Sequence, residues 1–141
     1  MIIEKKYYFY AGHRNKNAGE KCGRLHGHTY DVTCYFEFDF IDKKTGVTFL
    51  FSDIDELVEP IIKYYDHHFL LFEKDEMCKV FDKCNEPYRK LPFETSAENM
   101  AIYLFNRIKV ETKLNIVKIE FQETKSSKVI YESKRKKISS K

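Results

Sequence analysis

The chain lacks any uncharged apolar run approaching the ~20 residues that a membrane-spanning helix needs, and no internal repeat recurs along its 141 residues. It also lacks a Gly-rich dinucleotide-binding loop, so chemistry that draws on an external nicotinamide is not expected. The segment Met1 to Lys6 passes straight into an alternating pattern and shows no charged-then-apolar signal peptide, which points to a cytoplasmic protein. The four cysteines, Cys22, Cys34, Cys78 and Cys84, form an even set. A cytoplasmic chain of this size does not need disulfides, so each is read alone.

What is present fits one domain. Hydrophobic residues make up 43% and charged residues 33% of the 16.9 kDa chain, a balance suited to a soluble globular fold. The net charge is +3, but Ser133 to Lys141 carries five basic residues and no acid. Without those five, 20 basic residues face 22 acidic ones, a balance of −2. Nucleic-acid binding is therefore not expected: residues 1–132 read as the domain and 133–141 as a frayed basic tail.

Ile3 to His13 alternates as a half-buried strand, with Tyr7, Phe9, Ala11 and His13 in one phase. His28 to Phe40 alternates more strongly, with Tyr30, Val32, Cys34, Phe36 and Phe38 on one side. Asp42 to Gly46 has turn chemistry and predicts a hairpin return over Val47 to Phe51. Ser52 is the expected cap of a helix whose apolar positions run from Ile54 to Tyr65 and which ends near Asp66, with Pro60 discordant inside it. Glu73 to Glu94 reads as irregular, with a short helix around Met77 to Phe81. Thr95 and Glu98 suggest a capping box for a second long helix. Ile116 to Thr124 and Lys128 to Glu132 read as the last two strands. The order predicts an α+β fold, an antiparallel sheet with two helices packed on one face.

His26 and His28 are one residue apart and, on an extended segment, project from the same side. With His13 ending the in-phase row of the first strand, three neutral imidazoles and one open position describe a catalytic zinc site, although imidazoles also suit iron, nickel or copper. The alternative is three ordinary histidines. Cys22, four residues before His26, is either a fourth ligand that closes the site or a thiol beside the metal, where Lys21, Arg24 and the ion would favour the thiolate. Cys34 points with the apolar phase, and Cys78 and Cys84 have no partners for a metal site. Asp66 can orient His67 or His68 as the helix ends, or all three are solvated. Glu123 continues the phase of Val117, Ile119 and Phe121. A buried carboxylate there needs N–H donors, such as those of a 2-amino-4-oxo-pyrimidine ring, unless the strand has ended and the residue is wet.

The segments FYAGHR (Phe9 to Arg14), CGRLHGHTY (Cys22 to Tyr30), DHHFL (Asp66 to Leu70), SAEN (Ser96 to Asn99) and QET (Gln122 to Thr124) resemble, in this order, the 6-pyruvoyl-tetrahydropterin synthase family. The short spacer from Cys22 to His26 looks like its bacterial queuosine-pathway branch, which forms 6-carboxy-5,6,7,8-tetrahydropterin. The resemblance implies a tunnelling fold: a four-stranded antiparallel sheet with two helices, joined into a barrel in a homo-oligomer, a trimer or a dimer of trimers, with active sites between subunits. It implies zinc on His13, His26 and His28, catalysis by Cys22, Asp66 and His67, and pterin binding by Glu123, Ser96 and Glu98, with His68 in support. Ser96 stands where threonine is common, and Thr95 where proline is frequent. The implied reaction converts 7,8-dihydroneopterin triphosphate to carboxytetrahydropterin, acetaldehyde and triphosphate. A pyruvoyl product and a non-catalytic zinc or pterin-binding module are the alternatives.

Overall fold

The computed structural model describes residues 1–133, so the basic tail from Lys134 onward lies outside the described residues. β1 (Ile2–His13) and β2 (His26–Glu37) pair antiparallel in unbroken register, from Ile2 opposite Glu37 to His13 opposite His26. β5 (Ile116–Thr124) adds to β2, and β6 (Ser127–Glu132) adds to β5, both antiparallel.

The sheet does not stop at these four strands. β3 (His68–Phe72) lies parallel to β1, and β4 (Tyr88–Leu91) lies parallel to β3, giving a mixed six-stranded order β4-β3-β1-β2-β5-β6. This corrects the expected four-stranded antiparallel sheet. β3 escapes an alternation test because both of its faces are covered, as parallel strands usually are. Its Leu70 enters the main core, whereas Leu71 joins a second cluster with Cys78 and Phe81.

α1 (Phe51–Lys63) and α3 (Ala97–Thr112) pack on one face. Ile54, Val58 and Ile62 of α1 and Leu104 and Ile108 of α3 meet Phe9, Tyr30, Phe36 and Phe121 of the sheet, all of them fully buried. Cys34 lies in this core as its phase predicts, and burial pushes its thiol pKa up. A third helix, α2 (Met77–Cys84), covers Leu71 on the opposite face. Among the described residues no helix is long and apolar enough to cross a membrane.

Several local expectations are corrected. Asp42 does organise a turn, its side chain accepting from Lys44 N and Thr45 N at 3.0 and 2.7 Å, but residues 47–50 form no strand. Phe49 instead stacks on Phe38 to cap the core. α1 starts at Phe51 with Leu50 as an N-cap that makes no side-chain bond, so Ser52 is not the cap. The helix runs through Pro60, which lies on the exposed side where water can reach the carbonyl it leaves free. The cap of α3 is Ser96, whose Oγ accepts from Asn99 N, and not Thr95. A β-bulge between Tyr35 and Phe36 puts both Ile116 and Ile119 into the core, so Val117 leaves the phase assigned to it.

Candidate active site

The histidines come together because of register. His13 and His26 are directly opposed at the open end of the β1–β2 ladder, and His28 faces Ala11 one step along the same face. Cross-strand neighbours of this kind hold their Cβ atoms ~5 Å apart. One nitrogen from each ring lies within 4.8 Å of the others. His13 Nε2 and His26 Nε2 are 3.1 Å apart.

The outer ring nitrogens are already committed. His13 Nδ1 donates to the Thr95 carbonyl at 2.8 Å, and His26 Nδ1 to the Arg24 carbonyl at 2.7 Å. Both bonds select the tautomer whose Nε2 lone pair faces the cluster. His13 is 4% exposed. Burial, with His26 and His28 adding to it against the Thr95 hydrogen bond, pulls its pKa down to about 4. Burial and His26 also lower that of His28. Neutral imidazoles with converging lone pairs are the donor set a divalent transition metal takes.

A cavity of about 600 Å³ opens above these rings, lined in part by Cys22, Ser96, Glu98, Phe121 and Glu123. Glu123 Oε1 is buried without a hydrogen-bond partner and lies 3.9 Å from His13 Nε2. Its pKa is raised, chiefly by burial and then by the Glu98 carboxylate, with His26 acting the other way. An orphaned carboxylate oxygen beside a converging donor set is suited to a ligand that brings N–H groups. β5 continues through Glu123 to Thr124, and the side chain is half-buried, with Oε1 enclosed. Ser96 and Glu98 enter the cavity from the first turn of α3, and the free thiol of Cys22 comes from the loop between β1 and β2.

Asp66 and His67 lie elsewhere. Asp66 Oδ2 is 3.0 Å from His67 Nδ1, and Asp66 Oδ1 accepts from Tyr10 N at 2.8 Å. The Tyr10 amide and His67 together keep the Asp66 pKa low. His67 adopts a left-handed φ of 57° and donates its own N–H to Tyr10 O. The ring faces a second cleft of about 440 Å³ with Tyr10, Gly12 and Thr29 of the opposite β1–β2 phase and Phe69 of β3, and His28 lines both this cleft and the histidine cavity. Asp66 and His67 do not line the histidine cavity themselves; within one chain His28 is what the two clefts share. His68 turns its Nδ1 to the Asp66 carbonyl. Sequence reading missed Thr95 as a partner of His13, and it missed Asn15, Ser127 and Val129 on the cavity wall. These carry no motif, and only the fold brings them there.

Residues 2–134 match the family described as 6-pyruvoyl tetrahydropterin synthase. The chain belongs to that family. A synthase-family relative from Haemophilus influenzae, a 6-carboxy-5,6,7,8-tetrahydropterin synthase, is 31% identical over 132 residues, covering 89% of this chain and 94% of its own. The 6-pyruvoyl tetrahydropterin synthase of Caenorhabditis elegans superposes with a TM-score of 0.70 at 20% identity, over 94% of this chain and 95% of its own. An uncharacterized protein of Wolinella succinogenes gives 0.79 at 18% identity, over 94% and 97%. The two structures speak for the fold, and the tunnelling fold of the synthase family is the architecture expected from the sequence motifs.

Proposed function

We propose that this protein is a zinc-dependent 6-carboxy-5,6,7,8-tetrahydropterin synthase acting in queuosine biosynthesis. The observation that carries the reading is one cavity lined by three converging imidazoles, a carboxylate with an orphaned oxygen and a free cysteine. The carboxy-forming branch is favoured over the pyruvoyl-forming one by the short Cys22-to-His26 spacer and by the Haemophilus relative.

In this reading His13, His26 and His28 hold Zn²⁺. The ion, when bound, supplies Lewis-acid polarisation of the substrate's side-chain oxygens. Glu123 receives the pterin N–H groups and places the ring, with Ser96 and Glu98 at its edge. The Cys22 thiolate takes a carbon-bound proton from the side chain of 7,8-dihydroneopterin triphosphate. Redox rearrangement within the substrate reduces the ring and triphosphate leaves; one water then adds as the bond between the first and second side-chain carbons breaks, so that the first carbon becomes the carboxylate and the other two leave as acetaldehyde. His67, held by Asp66, relays protons to the cavity of a neighbouring subunit, since its own chain keeps the two apart. A trimer or a dimer of trimers, with sheets joined edge to edge through β4 and β6, supplies that neighbour. A reducing cytoplasm suits the four free thiols.

The test is an anaerobic incubation of zinc-loaded protein with 7,8-dihydroneopterin triphosphate. Carboxytetrahydropterin with matching acetaldehyde is expected. A pyruvoyl product moves the enzyme to the other branch, and no turnover by a folded, metal-replete oligomer rejects the enzymatic reading in favour of a binding module.

A further inference from the structure

The segment from Glu73 to Glu94 has no part in the reaction as described, yet it is tied to the backbone beside the site. Asp75, with a side chain 4% exposed, takes a forked pair of hydrogen bonds from Arg14, one from Nε at 2.8 Å and one from Nη2. The same carboxylate accepts from Met77 N at 2.8 Å and so ties Arg14 to the start of α2. A planar guanidinium held in this way has one orientation, and its backbone is fixed with it.

Arg14 sits between the two functional parts of the cavity. The residue before it is His13. The residue after it, Asn15, donates its backbone N–H to the Cys22 carbonyl at 2.8 Å. The Arg14 carbonyl accepts from Thr95 Oγ1 at 3.2 Å, while the Thr95 carbonyl takes His13 Nδ1. Three further ties join the same segments nearer the surface: Arg14 Nη2 to Glu76 at 3.5 Å, Lys16 to Glu76 at 2.8 Å and Asn17 to Glu94 at 3.4 Å.

We infer that Asp75 is a positioning residue for the reaction: through Arg14 it holds the His13 imidazole and the Cys22 loop at a fixed separation across the cavity. This rests on the proposed roles of His13 and Cys22. Groups that hold a metal-binding imidazole from behind affect affinity by ~10–100-fold when they are removed.

The test uses the full chain with Asp75→Asn, which keeps shape and loses charge, and Arg14→Lys, which keeps charge and loses the fork. Three quantities are read: melting temperature, Zn²⁺ affinity by chelator competition, and the alkylation rate of Cys22 resolved from that of Cys84 by peptide mass. The expected result for both variants is Zn²⁺ binding weakened several-fold, less than the ~10–100-fold of a group bonded directly to the imidazole, with the Cys22 rate changed several-fold and the exposed Cys84 rate unchanged. Zn²⁺ affinity and Cys22 reactivity within twofold of the parent in a folded variant overturn the inference, as does an equal change at both cysteines, which would mean general loosening. Should Asp75→Asn fail to fold, Arg14→Lys decides by the same readings. Zinc binding by the parent without any pterin turnover would reject the proposed function while leaving these readings interpretable.

Discussion

Glu123 Oε1 lies 3.9 Å from His13 Nε2, buried and without a hydrogen-bond partner. Desolvation is only partly offset there, so the carboxylate is held ready for a ligand at the expense of the empty state. Glu123→Gln is expected to weaken binding of 7,8-dihydroneopterin about 30-fold or more, the usual consequence of removing one partner of a buried charged hydrogen bond, with Zn²⁺ affinity unchanged. Because burial raises the Glu123 pKa, its ionised form is less favourable folded than unfolded. Ligand-free Glu123→Gln should therefore melt above the parent at pH 8, and the gap should close as pH falls into the ordinary glutamate range. Isothermal titration and thermal melts over pH check both statements.

The lowered pKa of His13 sets a second pH dependence. Above pH 6.5 the imidazole is neutral both folded and unfolded, and nothing is gained or lost. Between 6.5 and about 4 the unfolded chain takes up a proton that the folded protein refuses, so stability present at neutral pH is lost as pH falls. The full shift corresponds to ~3 kcal/mol. Metal-free protein should lose ~3 kcal/mol more than His13→Gln in urea unfolding between pH 7 and pH 4. Parallel slopes for the two proteins would show that His13 does not carry this pH dependence.

Gly12 stands beneath the Phe69 ring, and a Cβ added there would come 2.3 Å from Phe69 Cε1. The ring is packed from behind by Leu71 and Phe81, so it has little freedom to withdraw. Gly12→Ala is expected to destabilise by about 1–3 kcal/mol, the range for overpacking, and Gly12→Ala with Phe69→Leu should recover part of the loss. Denaturant unfolding measures both. An unchanged midpoint in Gly12→Ala would show that β3 shifts freely against β1.

The sequence revealed the parts of this protein that repeat with a period or end in a chemically distinctive residue. β1 and β2 alternate over their length, and that alternation alone places His13, His26 and His28 on one face. β3 and β4 were not visible: Phe69-Leu70-Leu71-Phe72 has no alternation because each face meets a different apolar cluster, and β4 is only four residues long. Thr95 was misread for a related reason. A threonine three residues before a glutamate looks like a cap, but the neighbouring Ser96 takes that role and leaves Thr95 to turn inward onto His13. Glu123 could be placed in phase, whereas its missing partner became visible only in three dimensions.

The separation of Cys22 from His67 supports a last prediction. Cys22 lines the histidine cavity, and His67 lines a second cleft that shares only His28 with it. If each reaction centre takes its thiol from one subunit and its imidazole from the next, Cys22→Ala and His67→Ala oligomers should each be nearly inactive while binding Zn²⁺ normally. Unfolding and refolding an equal mixture should then restore activity, because random assembly brings a parental Cys22 beside a parental His67 in about a quarter of the sites. Turnover of the refolded mixture, compared with each variant refolded alone, reads this directly. No recovery in mixed oligomers confirmed by mass would place both groups in the service of their own chain and require the Asp66–His67 segment to move across the sheet edge, against the hydrogen bonds that hold it to Tyr10.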